Sequence, residues 1–288
     1  MRINTNVSAL TAQEANTNTN EKLNQSLERL STGLRINKAS DDASGLAIAD
    51  KLRTQASGLD QAVANGNSAV TLTQIADKAM AEESNILDTI KQKLIQAGTA
   101  TTSAEGIESI GKDIDKLMNQ LDNIASQTTY NGTNLLQGDT AASGATAKVF
   151  QMGTRAEDTI TLDSGIQATV SGMDLNTTQD AAAAWSAGGS AADMQASARA
   201  LLDDIDNALS QLNKWRADVG STQNQLESST RNMMTQSTNT KAAESVIRDV
   251  DYAAESAEFN KQNIISQAGT YALSQANNVS QNVMRLLQ

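Results

Sequence analysis

Apolar residues recur at alternating three- and four-residue spacings near both ends of the chain. Such spacing is close to the 3.5-residue repeat that holds one helix face against a partner helix. We therefore predict a helix at each end, with the two helices pairing through these positions, which we call the terminal seam. In the N-terminal half, the terminal seam consists of Ile3, Val7, Leu10, Leu23, Leu27, Leu30 and Leu34. In the C-terminal half, it consists of Val250, Ala257, Ile264, Ala268, Tyr271, Val279, Val283 and Leu286.

The terminal seam is poor in large apolar side chains. Alanine stands at Ala257 and Ala268, and an alanine contributes much less apolar surface than a leucine. Residues 16–20 alternate Asn and Thr, which are weak helix formers whose side chains compete for backbone hydrogen bonds. We therefore expect an isolated pair of these helices to be marginal in water and to become ordered on assembly.

Three further helical tracts are predicted between the ends. Apolar residues follow a helical period over residues 59–94 and, after a capping box at 102–105, over residues 107–124. The pattern returns over residues 194–233, where it predicts a helix of about 40 to 50 residues, or roughly 60 to 75 Å. Residues 138–190 are rich in Gly, Ala, Ser and Thr, and their alternating fragments favour a small β-hairpin and a linker.

The composition supports long helices that contact each other through narrow strips of apolar residues. The chain has 288 residues, no proline and only 2% aromatic residues. Because proline is absent, long helices can run without interruption. The predicted fold class is therefore mainly α, with a long helical rod, a terminal coiled coil and a small β-hairpin element.

The charge is concentrated in the middle of the chain. The net charge is −11. Residues 1–57 hold seven basic and six acidic side chains and residues 241–288 hold four and five, so residues 58–240 carry the whole excess. Near-neutral ends can pack against many copies of themselves, whereas an acidic body is poorly suited to nucleic acid or to an anionic membrane. Neither nucleic acid nor a membrane is expected as a partner.

The residues that most often carry catalysis or bind metals are missing. The chain has no His and no Cys, which removes the usual general base, the thiol nucleophile and the commonest zinc ligands. Acidic runs occur at Asp41 and Asp42 and around Asp203, but adjacent carboxylates on a helix point in different directions. We therefore expect no catalytic, cofactor-binding or metal site, and no enzyme activity.

Two motifs at the chain ends carry a family resemblance. The segment ERLSTGLRIN at residues 28–37, followed by DDASGLAIA at residues 41–49, resembles the N-terminal signature of bacterial flagellin. The segment QANNVSQNVMRLL at residues 275–287 is similar to the flagellin C-terminal tail, although family members usually have Pro at the position of Ser280. The resemblance covers about residues 1–138 and 191–288.

The resemblance implies a domain organisation and a function. Residues 1–42 and 246–288 correspond to the terminal coiled-coil domain of the filament inner tube, and residues 43–138 and 191–245 to the helical rod domain. Residues 139–190 correspond to a β-hairpin element and a reduced variable region. The implied function is that of a structural subunit, which polymerises with itself into the extracellular filament of the bacterial flagellum for motility.

The resemblance also implies partners and a route out of the cell. The N-terminus has no basic region followed by an apolar region, as a cleaved secretory signal would have. Export through the flagellar type III apparatus is expected instead, with an export chaperone, the filament cap and the hook-filament junction proteins as partners. The alternatives are a minor flagellin, a hook-filament junction protein and, more distantly, an enzyme displayed on a filament.

One segment departs from the family pattern. Flagellins that activate the Toll-like flagellin receptor present a segment of the type Gln-Arg-x-Arg-Glu-Leu-x-x-Gln, and residues 88–96 read DTIKQKLIQ here. Thr89 replaces an Arg and Lys93 replaces the Leu. The loss of a guanidinium and of an apolar contact predicts weak or no receptor activation. The receptor-segment residues are Thr89, Ile90, Lys91, Lys93 and Leu94.

Overall fold

The computed structural model describes residues 6–138, 148–162, 165–188 and 190–286, and side chains as far as Asn278. These residues are mainly helical, which confirms the predicted fold class. Their helices are α1 (Val7–Thr32), α2 (Ala43–Ala97), α3 (Ala104–Gln127), α4 (Asn176–Ser186), α5 (Ala191–Arg248) and α6 (Tyr252–Leu286). Two antiparallel hairpins pair β1 (Thr129–Tyr130) with β2 (Thr133–Asn134) and β3 (Lys148–Gln151) with β4 (Thr159–Leu162).

Local side chains set the helix ends. Asn6 caps α1, because its side-chain oxygen accepts a hydrogen bond from the backbone N–H of Ala9 at 3.2 Å. α1 ends at Gly33, whose φ of 74° is one that glycine adopts without steric cost. The hydroxyl of Ser103 caps α3 by accepting from the N–H of Gly106 at 3.2 Å. The sequence prediction, which started this helix at residue 102, was one residue early.

The chain divides into two compact units. Unit 1 comprises Met1–Ser57 and Ser237–Gln288, and unit 2 comprises Gly58–Gln236. Unit 1 contains α1 and α6, unit 2 contains α3, α4 and both hairpins, and the long helices α2 and α5 contribute to both. The domain boundaries derived from the sequence remain a prediction.

In unit 1, α1 and α6 pack side by side in antiparallel directions. The side-chain amide of Asn6, at the start of α1, donates to the carbonyl of Ala276 late in α6 at 3.0 Å. At the other end of the pair, the N–H of Val250 donates to the carbonyl of Gly33 at 3.0 Å. The two chain ends are therefore paired helices, as the sequence predicted.

Unit 2 has a hydrophobic core between α2, α3 and α5. The apolar residues predicted to repeat along α3 form one side of this core, since Ile107, Ile114 and Leu121 have no exposed surface. α2 contributes Leu87 and α5 contributes Leu212, which are equally buried. The β3–β4 hairpin covers a second, smaller apolar cluster formed with α2 and α5. Its buried members are Leu59, Ala62, Ala69, Met152, Ile160, Leu226 and Met233.

One helix among the described residues was not predicted from the sequence. Residues 176–186 were expected to belong to a linker, but they form α4, which packs on α3. Trp185 anchors it, because its ring is buried and its Nε1–H donates to the Ser197 hydroxyl at 3.1 Å. At Gly111 of α3 a Cβ atom would lie 2.8 Å from the carbonyl oxygen of Ala182, so only glycine permits this approach. In the same region, Gln167 forms an isolated antiparallel bridge with Gln137.

Candidate assembly surface

The covered faces of α1 and α6 carry mostly small and polar residues. On both helices the covered positions recur at alternating spacings of three and four, as in a coiled coil. In α1 they are Ala9, Ala12, Asn16, Thr19, Leu23, Ser26 and Leu30. In α6 they are mainly Glu255, Phe259, Gln262, Ser266, Gly269, Leu273 and Ala276. The pattern of apolar residues alone did not predict this face of α6, although the spacing of its small residues was a signal in the sequence.

Hydrogen bonds and one ion pair join the two helices. The buried Ser26 hydroxyl donates to the carboxylate of Glu255, and Arg29 approaches the same carboxylate at 3.7 Å. The Ser266 hydroxyl donates to the side-chain oxygen of Asn20 at 2.9 Å. Each such contact gives a modest net gain, about 0.5 to 1.5 kcal/mol for a neutral hydrogen bond.

Most of the terminal seam points away from this interface. Ile264 is 67% exposed and Tyr271 is 75% exposed. The seam residues that are exposed in the single chain are Val7, Leu10, Leu27, Ala257, Ile264, Ala268 and Tyr271. Half-buried are Leu23, Leu30, Leu34 and Val250. Outside the described residues lie Ile3 and the side chains of Val279, Val283 and Leu286.

The prediction that α1 and α6 pair through the terminal seam was therefore wrong for most of its described residues. A heptad of apolar residues shows that a helix face requires cover, but it does not say whether the cover comes from the same chain. The exposed face includes the aliphatic side chain of Ile265 next to Ile264, and Tyr271 lies two turns further along. Unit 1 thus presents an apolar surface that nothing in the described chain covers.

The segment between α1 and α2 holds its shape through a charged network. The ammonium of Lys38 donates to the Glu28 carboxylate at 2.8 Å, and the Asn37 amide donates to the same carboxylate at 2.8 Å. The bond from Lys38 lowers the pKa of Glu28 and raises the pKa of Lys38. The backbone N–H groups of Lys38 and Asn37 donate to Asp41, which lowers the pKa of Asp41. The motif at residues 28–41 therefore encodes a turn.

Gly45 lies in the first turn of α2, at a site too close to its neighbours for a side chain. It is buried, and a Cβ there would lie 2.7 Å from Cδ1 of Ile36. Its backbone N–H donates to the Asp42 carboxylate at 2.9 Å. This close approach accounts for the DDASG run as a tight helix start.

The receptor segment lies in α2 of unit 2, and part of it cannot meet a receptor. Ile90 and Leu94 have no exposed surface, because they belong to the core between α2, α3 and α5. Including these two residues in a receptor-facing segment was wrong, because they alternate with the exposed positions at helical spacing. The exposed apolar residue of this stretch is Ile95, which is 55% exposed.

The polar members of the receptor segment are engaged within the chain. Lys91 pairs with Asp206 of α5, and Lys93 pairs with Asp113 of α3 at 2.9 Å. The Thr89 hydroxyl donates to a backbone carbonyl one turn earlier at 2.9 Å. Both ammonium groups therefore help to hold α2 against its neighbours, and their influence on a receptor remains a prediction.

Within residues 6–138, 148–162, 165–188 and 190–286, no group of three or more acidic side chains is arranged to hold a metal ion. No helix among those residues is long and apolar enough to cross a bilayer.

Two family models match the chain at its two ends. The bacterial flagellin N-terminal helical region matches residues 3–141, and the bacterial flagellin C-terminal helical region matches residues 202–287. The flagellin of Bacillus subtilis (strain 168) is 37% identical over 100% of both chains. The chain belongs to the bacterial flagellin family. The flagellar filament 33 kDa core protein of Treponema phagedenis is 35% identical, again over 100% of both chains.

A solved structure supports the fold of this flagellin. A putative flagellar hook-associated protein from Vibrio parahaemolyticus superposes with a TM-score of 0.59, covering 72% of this chain and 99% of that chain. At 15% identity, this likeness concerns the fold alone. Family membership establishes that the chain is a structural subunit of the extracellular flagellar filament, which serves motility.

Proposed function

We propose that the exposed part of the terminal seam is the surface through which flagellin subunits contact each other in the filament. The observation that carries this proposal is the outward position of Val7, Leu10 and Leu27 on α1 and of Ile264 and Tyr271 on α6. Large apolar side chains grouped on one helix face mark an interaction site when they are exposed. The partner is a further copy of the chain, because the family forms a homopolymer.

Two different helices supply this surface, which suits an open polymer. A contact between unlike patches repeats head to tail, and it builds a helical filament when the rotation between copies does not close a ring. The near-neutral charge of residues 1–57 and 241–288 supports dense packing of many copies, since it limits their mutual repulsion.

The domain roles follow from this arrangement. We propose that residues 1–42 and 246–288 line the inner tube of the filament and that residues 43–138 and 191–245 pack around them. Residues 139–190 supply the hairpin element. We also propose a purely mechanical role without catalysis, which the absence of His and Cys from the sequence supports. Hydrolysis or another turnover by purified, polymerised protein would contradict it.

We further propose export without a cleaved signal through the flagellar export apparatus, with an export chaperone, the filament cap and the hook-filament junction proteins as partners. The exposed apolar face of α6 supports a chaperone, because such a face needs cover before assembly. N-terminal sequencing of secreted protein tests the export route. Residues 1–6 should be retained, apart from Met1, and a mature chain starting later would refute it.

A substitution on α1 tests the assembly surface. Leu27→Asp should abolish seeded polymerisation, because it places an unpaired carboxylate where a neighbouring subunit covers the helix. Circular dichroism of the monomer should stay unchanged, since Leu27 is 54% exposed in the single chain. Gln25→Asp, also on the exposed part of α1, is the matched control and should polymerise. Normal polymer yield from Leu27→Asp would show that the surface lies elsewhere.

A further inference from the structure

Glu83 of α2 is a carboxyl group in the core of unit 2. Its side chain has no exposed surface, whereas the preceding Glu82 is exposed. Neither carboxyl oxygen of Glu83 finds a hydrogen-bond partner among the described residues. The helical repeat explains the position, since Glu83 follows Met80 by three residues and precedes Leu87 by four, and both are fully buried.

The groups around Glu83 offer no compensation for a negative charge. From α3, the charged group that faces it is Asp122, which is itself negative and accepts a hydrogen bond from the N–H of Val170 at 2.8 Å. α5 contributes apolar side chains to this core, including Leu212. The cation of α5 that reaches α2 nearby is Arg216, and it pairs with Asp77 at 3.1 Å.

A buried carboxyl without partners is stable only in its neutral form. Taking an ionised carboxylate out of water costs several kcal/mol unless it is paired, so the group takes up a proton instead. Burial, reinforced by the negative charge of Asp122, raises the pKa of Glu83 to about 8. The core therefore accommodates Glu83 as a neutral acid at neutral pH.

We propose that the protonation state of Glu83 controls the packing of α2 against α3 and α5. The protonated side chain is compatible with the packed core of unit 2, and the ionised side chain destabilises it. In a filament subunit, this group would make the stability of unit 2 depend on the pH of the surrounding medium. Its two states differ by one proton, and no other reactant is involved.

The direction and size of the effect follow from proton linkage. The folded state holds the Glu83 proton up to about pH 8, whereas the unfolded state releases it near the ordinary value of 4.5. The contribution is therefore fully present below pH 4.5 and is lost as pH rises through about 8. Between these values the folding equilibrium constant falls by about tenfold per pH unit. The chain has no histidine, so no other side chain has its ordinary pKa in this window.

The experiment measures urea unfolding of the full chain by the fluorescence of Trp185 and Trp215, which are buried in the same core. For the wild type, the folding equilibrium constant should fall on the order of a hundredfold between pH 5.5 and pH 8. Glu83→Gln keeps the shape of the side chain but cannot ionise, so most of this fall should disappear. Glu82→Gln is the matched control and should retain it.

Two further measurements keep the proposal open to refutation if Glu83→Gln folds poorly. Asp122→Asn removes the facing negative charge and should lower the pKa of Glu83 in the folded state, so the folding equilibrium constant should fall less between pH 5.5 and pH 8 than it does in the wild type. Difference infrared spectra between wild type and Glu83→Gln should show a protonated carboxyl at pH 7. An equal pH dependence in wild type and Glu83→Gln, or no protonated carboxyl at pH 7, would overturn the proposal.

Discussion

Truncation of Ile264 gives a quantitative test of the assembly surface. Ile264 is 67% exposed in the single chain, so about two-thirds of its burial free energy is available to a neighbouring subunit. Full burial of such a side chain is worth about 1.5 to 3 kcal/mol, which leaves about 1 to 2 kcal/mol for assembly. Since about 1.4 kcal/mol corresponds to tenfold in an equilibrium constant, Ile264→Ala should raise the critical concentration for polymerisation about five- to thirtyfold.

The assay is sedimentation of polymer after seeding, over a range of subunit concentrations. Alanine is a better helix former than isoleucine, so the helicity of the monomer should not fall and cannot explain weaker assembly. Gln267→Ala, which truncates an exposed polar side chain of the same helix, is the control and should change the critical concentration by less than about twofold. An unchanged critical concentration for Ile264→Ala would mean that this face is not buried in the filament.

Two other predictions concern the monomer and the receptor. Amides in residues 1–40 and 246–288 should exchange rapidly in the monomer and become protected in the filament, because the α1–α6 interface is polar; strong protection in the monomer would refute this. The wild-type monomer should activate reporter cells bearing the Toll-like flagellin receptor only weakly, and Thr89→Arg with Lys93→Leu should restore part of the response. The double substitution removes the half-exposed pair with Asp113, which costs about 0 to 1 kcal/mol, so folding should survive. A strong wild-type response would contradict the prediction.

The sequence predicted those parts of the fold in which the chain covers its own apolar residues. α3 is the clearest case, since Ile107, Ile114 and Leu121 repeat at helical spacing and all three are buried within unit 2. Strands β3 and β4 were also recognised from alternating side chains. In these elements, local pattern and tertiary cover agree.

Elements that depend on long-range contacts could not be predicted in the same way. α4 consists largely of alanine and threonine, and it depends on Trp185 and on the close approach at Gly111 of α3. Glu83 looks like an ordinary surface residue beside Glu82. Its signal was its place in the repeat formed with Met80, Leu87, Ile90 and Leu94, where a charged residue interrupts a series of buried apolar ones.

The candidate site shows a different limit of sequence reasoning. Ile264 and Tyr271 have the spacing of a coiled-coil interface, and that spacing is the same whether the covering helix belongs to one chain or to its neighbour. The structure separates the cases for the single chain, because Gln262, Ser266 and Gly269 occupy the covered face instead. The identity of the neighbour that covers the apolar face stays a prediction.

The division of polar and apolar surface in unit 1 explains why folding of α1 and α6 should be tied to assembly. Within the chain, the hydrogen bond between Ser266 and Asn20 contributes about 0.5 to 1.5 kcal/mol, and the bond from Ser26 to the Glu255 carboxylate contributes about 1.5 to 3 kcal/mol. The pair of Arg29 with Glu255 adds about 0 to 1 kcal/mol. Ordering the backbone costs about 1 to 2 kcal/mol per residue. These few polar contacts are too weak to offset that cost over two long helices. Val7, Leu10, Leu27, Ile264 and Tyr271 are exposed, so most of their burial free energy becomes available only when another subunit covers them. We therefore expect a helix pair built in this way to be favoured in the polymer and marginal in the monomer.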